Sequence, residues 1–235
     1  SNEAAATFKQ YPDAPRYTDF RKMLDKEARN IDAAIISTPD HMHGMAAMWC
    51  MERGKHVYVE KPMTRTVWEA RQLTQAAEKY KVATQMGNQG YSNEGARIAA
   101  EIVWSGEIGN VTEVHAWTTR PIWPQGMTQI PPPSAPPPTL DWDSWLGVAA
   151  QRPYAGAATT PEQGARGSGG GAAGRGFYCP FNWRGFFDFG SGPLGDMACH
   201  LLGAVNMALL LGAPTSVEVI KQEGKSPFAF PLESV

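Results

Sequence analysis

Lys61 is the residue of this 235-residue chain whose setting most invites chemistry. It follows Val57-Tyr58-Val59-Glu60 and precedes Pro62. The β-branched and aromatic run reads as a strand, and the proline stops it by fixing φ and offering no N–H. A lysine at the end of a short strand sits at the carboxyl edge of an α/β sheet, where such folds gather ligands. There it can lose solvation, and its pKa can fall far enough for acid–base work. Without such a role, Glu60 and Lys61 are an ordinary charged pair at a strand-to-loop junction. Asp196 and His200 are four residues apart on the last predicted helix and so share one face. A carboxylate beside an imidazole fixes its tautomer and poises it as a general base. The plainer alternative is a satisfied pair in which Asp196 meets the helix dipole. Two ligands from one helix need a third for a metal, and nearby Asp, Glu and His are few, so no metal centre is expected. His41 and His43 stand where a loop enters a helix, a place that helix-end capping or surface polarity also explains. Gly87-Asn88-Gln89-Gly90 follows a strand and can lay backbone and amides against a planar ligand, or serve only as a turn.

The elements that must position these residues alternate. A short amphipathic helix begins at Phe20 and ends by Asn30, and Ile31–Thr38 reads as a strand with apolar residues for both faces, as a parallel sheet requires. The spacing predicts a helix over 43–53 closed by Gly54, a strand over 56–60, a helix over 67–80 capped by Thr66, a strand over 82–86 and a helix over 93–104 stopped near Gly106. Strands alternating with helices imply a parallel sheet with right-handed crossovers. The character changes after Gly109. Val111–Thr118 alternates with period two, as a half-solvated antiparallel strand does. Residues 121–140 hold eight prolines and exclude helix or central strand. A short helix can start at Asp141 and pack Trp142 and Trp145. Residues 155–176 are rich in Gly and Ala, without the strand or Lys-Ser/Thr of a phosphate cradle, and read as a lid or a neutral insertion. A helix from Asp196 to about Leu211 and a strand over 215–220 follow. The expected fold class is therefore α/β: a partial Rossmann-type parallel sheet over 1–109, then an α+β substrate domain over 110–235 with an open, mostly antiparallel sheet.

Composition narrows the function classes. Apolar residues make up 43% and charged residues 19%, enough for a buried core. A formal net charge of −2 points away from nucleic acid and anionic membrane as partners. No apolar run reaches the roughly 18 residues of a membrane span. Cys50, Cys179 and Cys199 are odd in number and widely spaced, which favours inert thiols over a disulfide or zinc framework. The compartment stays open between cytoplasm and bacterial periplasm.

Four segments in order carry a resemblance: Ser37-Thr38-Pro39-Asp40-His41-Met42-His43; Gly54-Lys55-His56-Val57-Tyr58-Val59-Glu60-Lys61-Pro62; Gly87-Asn88-Gln89; and Trp183-Arg184-Gly185 ahead of Gly190-Ser191-Gly192-Pro193-Leu194-Gly195-Asp196-Met197-Ala198-Cys199-His200. From about Tyr17 to Val219 the chain resembles the Gfo/Idh/MocA oxidoreductases. The resemblance implies a Rossmann domain for NAD or NADP and hydride transfer at a sugar or polyol hydroxyl. It implies Lys61 as the catalytic, nicotinamide-side lysine, His200 as acid/base, and Asp196 as its partner or a substrate-hydroxyl acceptor. Thr38, Pro39, His43, Glu60, Lys61, Asn88, Gln89, Trp183 and Arg184 are implied to line or approach the cofactor. A cis peptide before Pro62 and a homo-oligomer, dimer or tetramer, are implied as well. Some relatives use NAD transiently to cleave glycosides, a hydrolase or lyase alternative.

The chain departs from the pattern in two places. No strand with a G-x-G-x-x-G turn precedes residue 31, so it reads as a fragment that lacks the first βαβ unit and the pyrophosphate cradle. Such a fragment can be catalytically incompetent as it stands. Gly203 takes a position where many relatives carry an acid, which removes one polyol contact.

Overall fold

The computed structural model describes residues 4–121, 123–156 and 176–235. Helices α1 (Ala5–Gln10) and α2 (Phe20–Glu27) lead into β1 (Ala33–Ile36), α3 (Asp40–Met51), β2 (His56–Glu60), α4 (Val67–Tyr80), β3 (Thr84–Gly87) and α5 (Glu94–Ser105). The strands form one parallel sheet in the order β1-β2-β3, with Ile36 beside Val59 and Glu60 beside Gly87. The α/β reading holds, and local signals set the boundaries. Thr66 Oγ1 accepts from the Glu69 N–H at 3.2 Å while Glu69 Oε2 accepts from the Thr66 N–H at 2.8 Å, a capping box that starts α4. Gly106, at φ +78°, closes α5 in the left-handed conformation that a Cβ disfavours.

Helices α2, α3 and α4 bury one aliphatic core. Leu24, Ala47, Cys50 and Met51 pack against Ile36, Val57 and Val59 of the strands and Leu73 and Ala76 of α4. The expectation that β1 is covered on both faces is corrected here. Ile36 is 5% exposed, but Ile35, pointing the other way, is 77% exposed. Among the described residues the helices cover one face only.

The second half is held by aromatic rings rather than strands. Helix α6 (Trp142–Leu146) is capped by Asp141, whose carboxylate accepts from the Ser144 N–H, and it stacks Trp142 on Trp145 at 5.0 Å. Tyr178, Phe186 and Phe189 close around them. Helix α7 (Gly192–Leu209) lies along α5, where Trp104 Nε1 donates to Ala208 O at 2.8 Å. It begins four residues before the expected start because Pro193 suits a first turn.

The expected strands over 111–118 and 215–220 are not strands. Both segments are mostly exposed, and no described segment pairs with either to form a ladder. Alternation prepares a segment for a sheet but does not supply the partner strand. The antiparallel component is a two-residue ladder between β4 (Gln222–Glu223) and β5 (Glu233–Ser234). The glycine-rich stretch at 157–175 lies outside the described residues.

Candidate active site

Strand β2 delivers Glu60 and Lys61 to the carboxyl edge of the sheet, and the Lys61–Pro62 peptide is cis. Lys61 Nζ donates to Asp196 Oδ1 at 2.9 Å and to the Asp196 carbonyl oxygen at 3.0 Å. Arg184 Nε lies 3.6 Å from the same Oδ1. The structure therefore brings Lys61, Asp196 and Arg184 into one half-buried cluster from three distant parts of the chain. Arg184 also rests on the Trp183 ring at 4.2 Å and the Phe181 ring at 4.3 Å. Trp183 is 5% exposed and donates from Nε1 to Pro180 O, so it supports Arg184 from below.

The expected Asp196–His200 pairing is corrected. The carboxylate faces Lys61 and Arg184, while His200 is exposed one turn along α7. Partial burial and then the Lys61 charge hold the His200 pKa below the usual imidazole value, against the pull of Asp196 and Glu60. The ring is therefore neutral at neutral pH and able to accept a proton.

The remaining expected residues divide into an open rim and a buried frame. Thr38 is exposed, and Glu60 accepts from Gln89 Nε2 at 3.1 Å on the rim. A Cβ on Gly87 would stand 2.8 Å from the Glu60 carboxyl carbon and 2.9 Å from the Tyr58 ring, so a larger residue there would push the Glu60 side chain aside. Asn88 is 8% exposed and donates to Cys199 O at 2.5 Å, while its Oδ1 has no partner among the described residues. His43, expected to line a cofactor, is 1% exposed. Its ring lies between the carbonyl oxygens of Thr38 and Pro62, 2.7 Å from each. It ties together the loops after β1 and β2, and Pro39 is half-buried between them.

Two residues of the frame were not anticipated. Ser191 Oγ donates to Asp40 Oδ2 at 2.9 Å and joins the start of α3 to the start of α7. Burial raises the Asp40 pKa to about 6, against the Ser191 hydrogen bond and the charges of His43 and Arg184. The only sequence signal was an aspartate after Pro39 at a helix start, which marks a helix terminus and no partner. Beside it His41 is fully buried between Trp145 and Phe189, with Nε2 donating to Trp145 O at 3.1 Å. Burial lowers its pKa and keeps it neutral.

Gly190, Gly192 and Gly195 carry the literal G-x-G-x-x-G spacing at the start of α7, but they follow a turn rather than a strand. The protein fills the space that a pyrophosphate needs. A Cβ on Gly190 would meet the Arg184 backbone at 2.6 Å, and one on Gly192 the Phe230 ring at 2.6 Å. These glycines serve close packing. Gly203, where an acid was expected, packs on the Tyr91 ring at 2.7 Å from its would-be Cβ, which leaves no room for a side chain.

Residues 1–88 match the family described as an oxidoreductase family with an NAD-binding Rossmann fold, Gfo/Idh/MocA. The match is confined to this N-terminal part, which includes β1, β2, β3 and Lys61. A glycosyl hydrolase family 109 protein of Shewanella sp. (strain ANA-3) is 41% identical over 76 residues, covering 32% of this chain and 16% of that protein. A scyllo-inositol 2-dehydrogenase (NADP(+)) of Bacillus subtilis (strain 168) is 35% identical over 71 residues, 30% of this chain and 19% of that protein. A crystal structure of myo-inositol 2-dehydrogenase from Lactobacillus plantarum is 27% identical with a TM-score of 0.43, covering 47% of this chain and 32% of that one. The chain spans well under two thirds of the length of these curated relatives. No helix among the described residues is long and apolar enough to cross a membrane.

Proposed function

We propose that the Lys61 edge is the hydride-transfer site of an NAD(P)-dependent oxidoreductase acting on a sugar or polyol hydroxyl. The observation that carries this reading is the Lys61–Asp196 hydrogen bond, which places an oriented ammonium at the carboxyl edge of a Rossmann-type sheet. A nicotinamide, when bound, supplies the hydride acceptor. Thr38, Pro39, Glu60, Asn88 and Gln89 would hold that end of it, and the buried Asn88 Oδ1, which has no partner among the described residues, is an acceptor for its carboxamide. Lys61 steadies the negative charge that develops on the substrate oxygen, and neutral His200 takes the hydroxyl proton. The C–H electron pair leaves with the hydride and the product is a carbonyl. None of the described residues forms a strand–glycine-turn–helix for the pyrophosphate, so the contacts assigned here are to the nicotinamide end alone. A dimer or tetramer is part of the same proposal.

The test is absorbance at the reduced-nicotinamide band with inositols and aldoses, for the wild type, Lys61→Ala and His200→Ala. Turnover by the wild type and a loss of about 100-fold or more in each variant is expected. No turnover, or variants that match the wild type, rejects the proposal. The family 109 relatives favour one second reading, transient oxidation that ends in glycoside cleavage. Release of an aglycone without net reduced nicotinamide would distinguish it.

A further inference from the structure

A cleft of about 480 Å³ opens beside the aromatic cluster, and no residue of the Lys61 network lines it. Its size falls in the range of roughly 300–1,000 Å³ typical of small-molecule sites. Pro131 and Pro133 form one wall, Phe187 and Phe228 another, and Arg152 and Asp188 supply the polar edge. Phe187 is 39% exposed although its backbone is fixed on both sides. Its N–H donates to Phe228 O at 3.1 Å, its carbonyl accepts from Arg65 at 2.8 Å, and its ring sits 4.6 Å from Phe230. A rigid aromatic ring left open to water is a platform for a ligand with an apolar face.

The polar edge selects the charge of that ligand. Arg152 pairs with Asp188 and lies 5.0 Å over the Phe189 ring, so its charge is already balanced. An anion gains little from a guanidinium neutralised in this way. Among the described residues only Oδ2 of Asp188 is used, which leaves Oδ1 as an acceptor on a side chain 42% exposed. Apolar walls, one exposed ring and a carboxylate acceptor beside a neutralised arginine match a molecule with a C–H face and hydroxyls round its edge. We propose that this cleft binds a neutral saccharide ring, its C–H face on Phe187 and its hydroxyls on Asp188 and Arg152. The proposal does not rest on hydride transfer at Lys61.

Ligand-observed saturation-transfer NMR and calorimetry with glucose, galactose, N-acetylglucosamine, maltose and cellobiose test it. At least one of these binds the wild type, and Phe187→Ala weakens it by about tenfold or more, as does Asp188→Ala. The melting temperature of Phe187→Ala stays near that of the wild type, because the ring is on the surface. Binding of none of the five sugars overturns the proposal. So does inorganic phosphate binding in their place. Affinity lost in Lys61→Ala but kept in Phe187→Ala puts the sugar at the other site and overturns it too.

Discussion

The two buried cores are made of different material. The core beneath the sheet is aliphatic: Leu24, Ile36, Val57, Val59 and Leu73 come from elements that follow one another along the chain. The second is aromatic: Tyr178, Phe186 and Phe189 close on Trp142 and Trp145 with almost no regular structure between them. Aliphatic side chains bury well when helices and strands present them at fixed periods. Rings can hold irregular backbone together because each buries a large area and prefers edge or offset contacts. The site lies where these two kinds of construction meet, with Lys61 from the first and Arg184 and Asp196 from the second.

The largest effect expected from this contrast is in the aromatic core. Phe186→Ala costs about 4 kcal/mol, measured by denaturant unfolding, since Phe186 touches four rings among the described residues and is fully buried. A cost under about 1 kcal/mol would mean that the loops hold without the ring cluster. At the junction, Asp196→Ala leaves Lys61 and Arg184 facing each other without their shared carboxylate. It should cost about 3 kcal/mol, and Asp196→Asn should recover part of that loss, read from the same unfolding curves.

Asp40 gives a pH-dependent test of the junction. Its folded pKa, about 6, lies above the ordinary 3.8, so the folded state holds the proton more tightly than the unfolded chain. The resulting stabilisation is complete below about pH 4 and is lost as pH rises through 6, at most about 3 kcal/mol in all. Asp40→Asn keeps an acceptor for Ser191 and removes this dependence. The difference in stability between variant and wild type should therefore shift in favour of the variant from pH 4 to pH 7. A pH-independent difference would sink the assignment. The smallest effect is on the aliphatic side. Thr66→Ala removes the cap of α4 and costs about 1 kcal/mol by thermal or denaturant unfolding.

The same contrast explains what the amino-acid sequence disclosed. Strand β2, the capped α4, the glycine stop of α5 and the place of Lys61 were legible because each is set within a few residues. The Asp40–Ser191 bond was not, because its partners stand 151 residues apart. The pairing of Asp196 was half legible: helical spacing puts His200 on its face, but tertiary packing turns the carboxylate to Lys61. Val111–Thr118 has the pattern of a strand and no ladder, since pattern sets which side chains alternate and a neighbour decides whether they pair. His43 carried a recognisable position but gave no sign of its burial between two carbonyls.

The hydrogen bond from Lys61 to Asp196 closes a loop of 135 residues. Closing long loops costs chain entropy before any contact compensates it, so long-range contacts tend to form late in folding. The parallel strands need only their own crossovers. We therefore expect the sheet half to acquire protected amides before the site is assembled, which pulsed hydrogen exchange during refolding can follow. Simultaneous protection of β2 and α7 would count against that order. A chain released early by its folding machinery would then carry a formed sheet whose lysine has yet to meet its carboxylate.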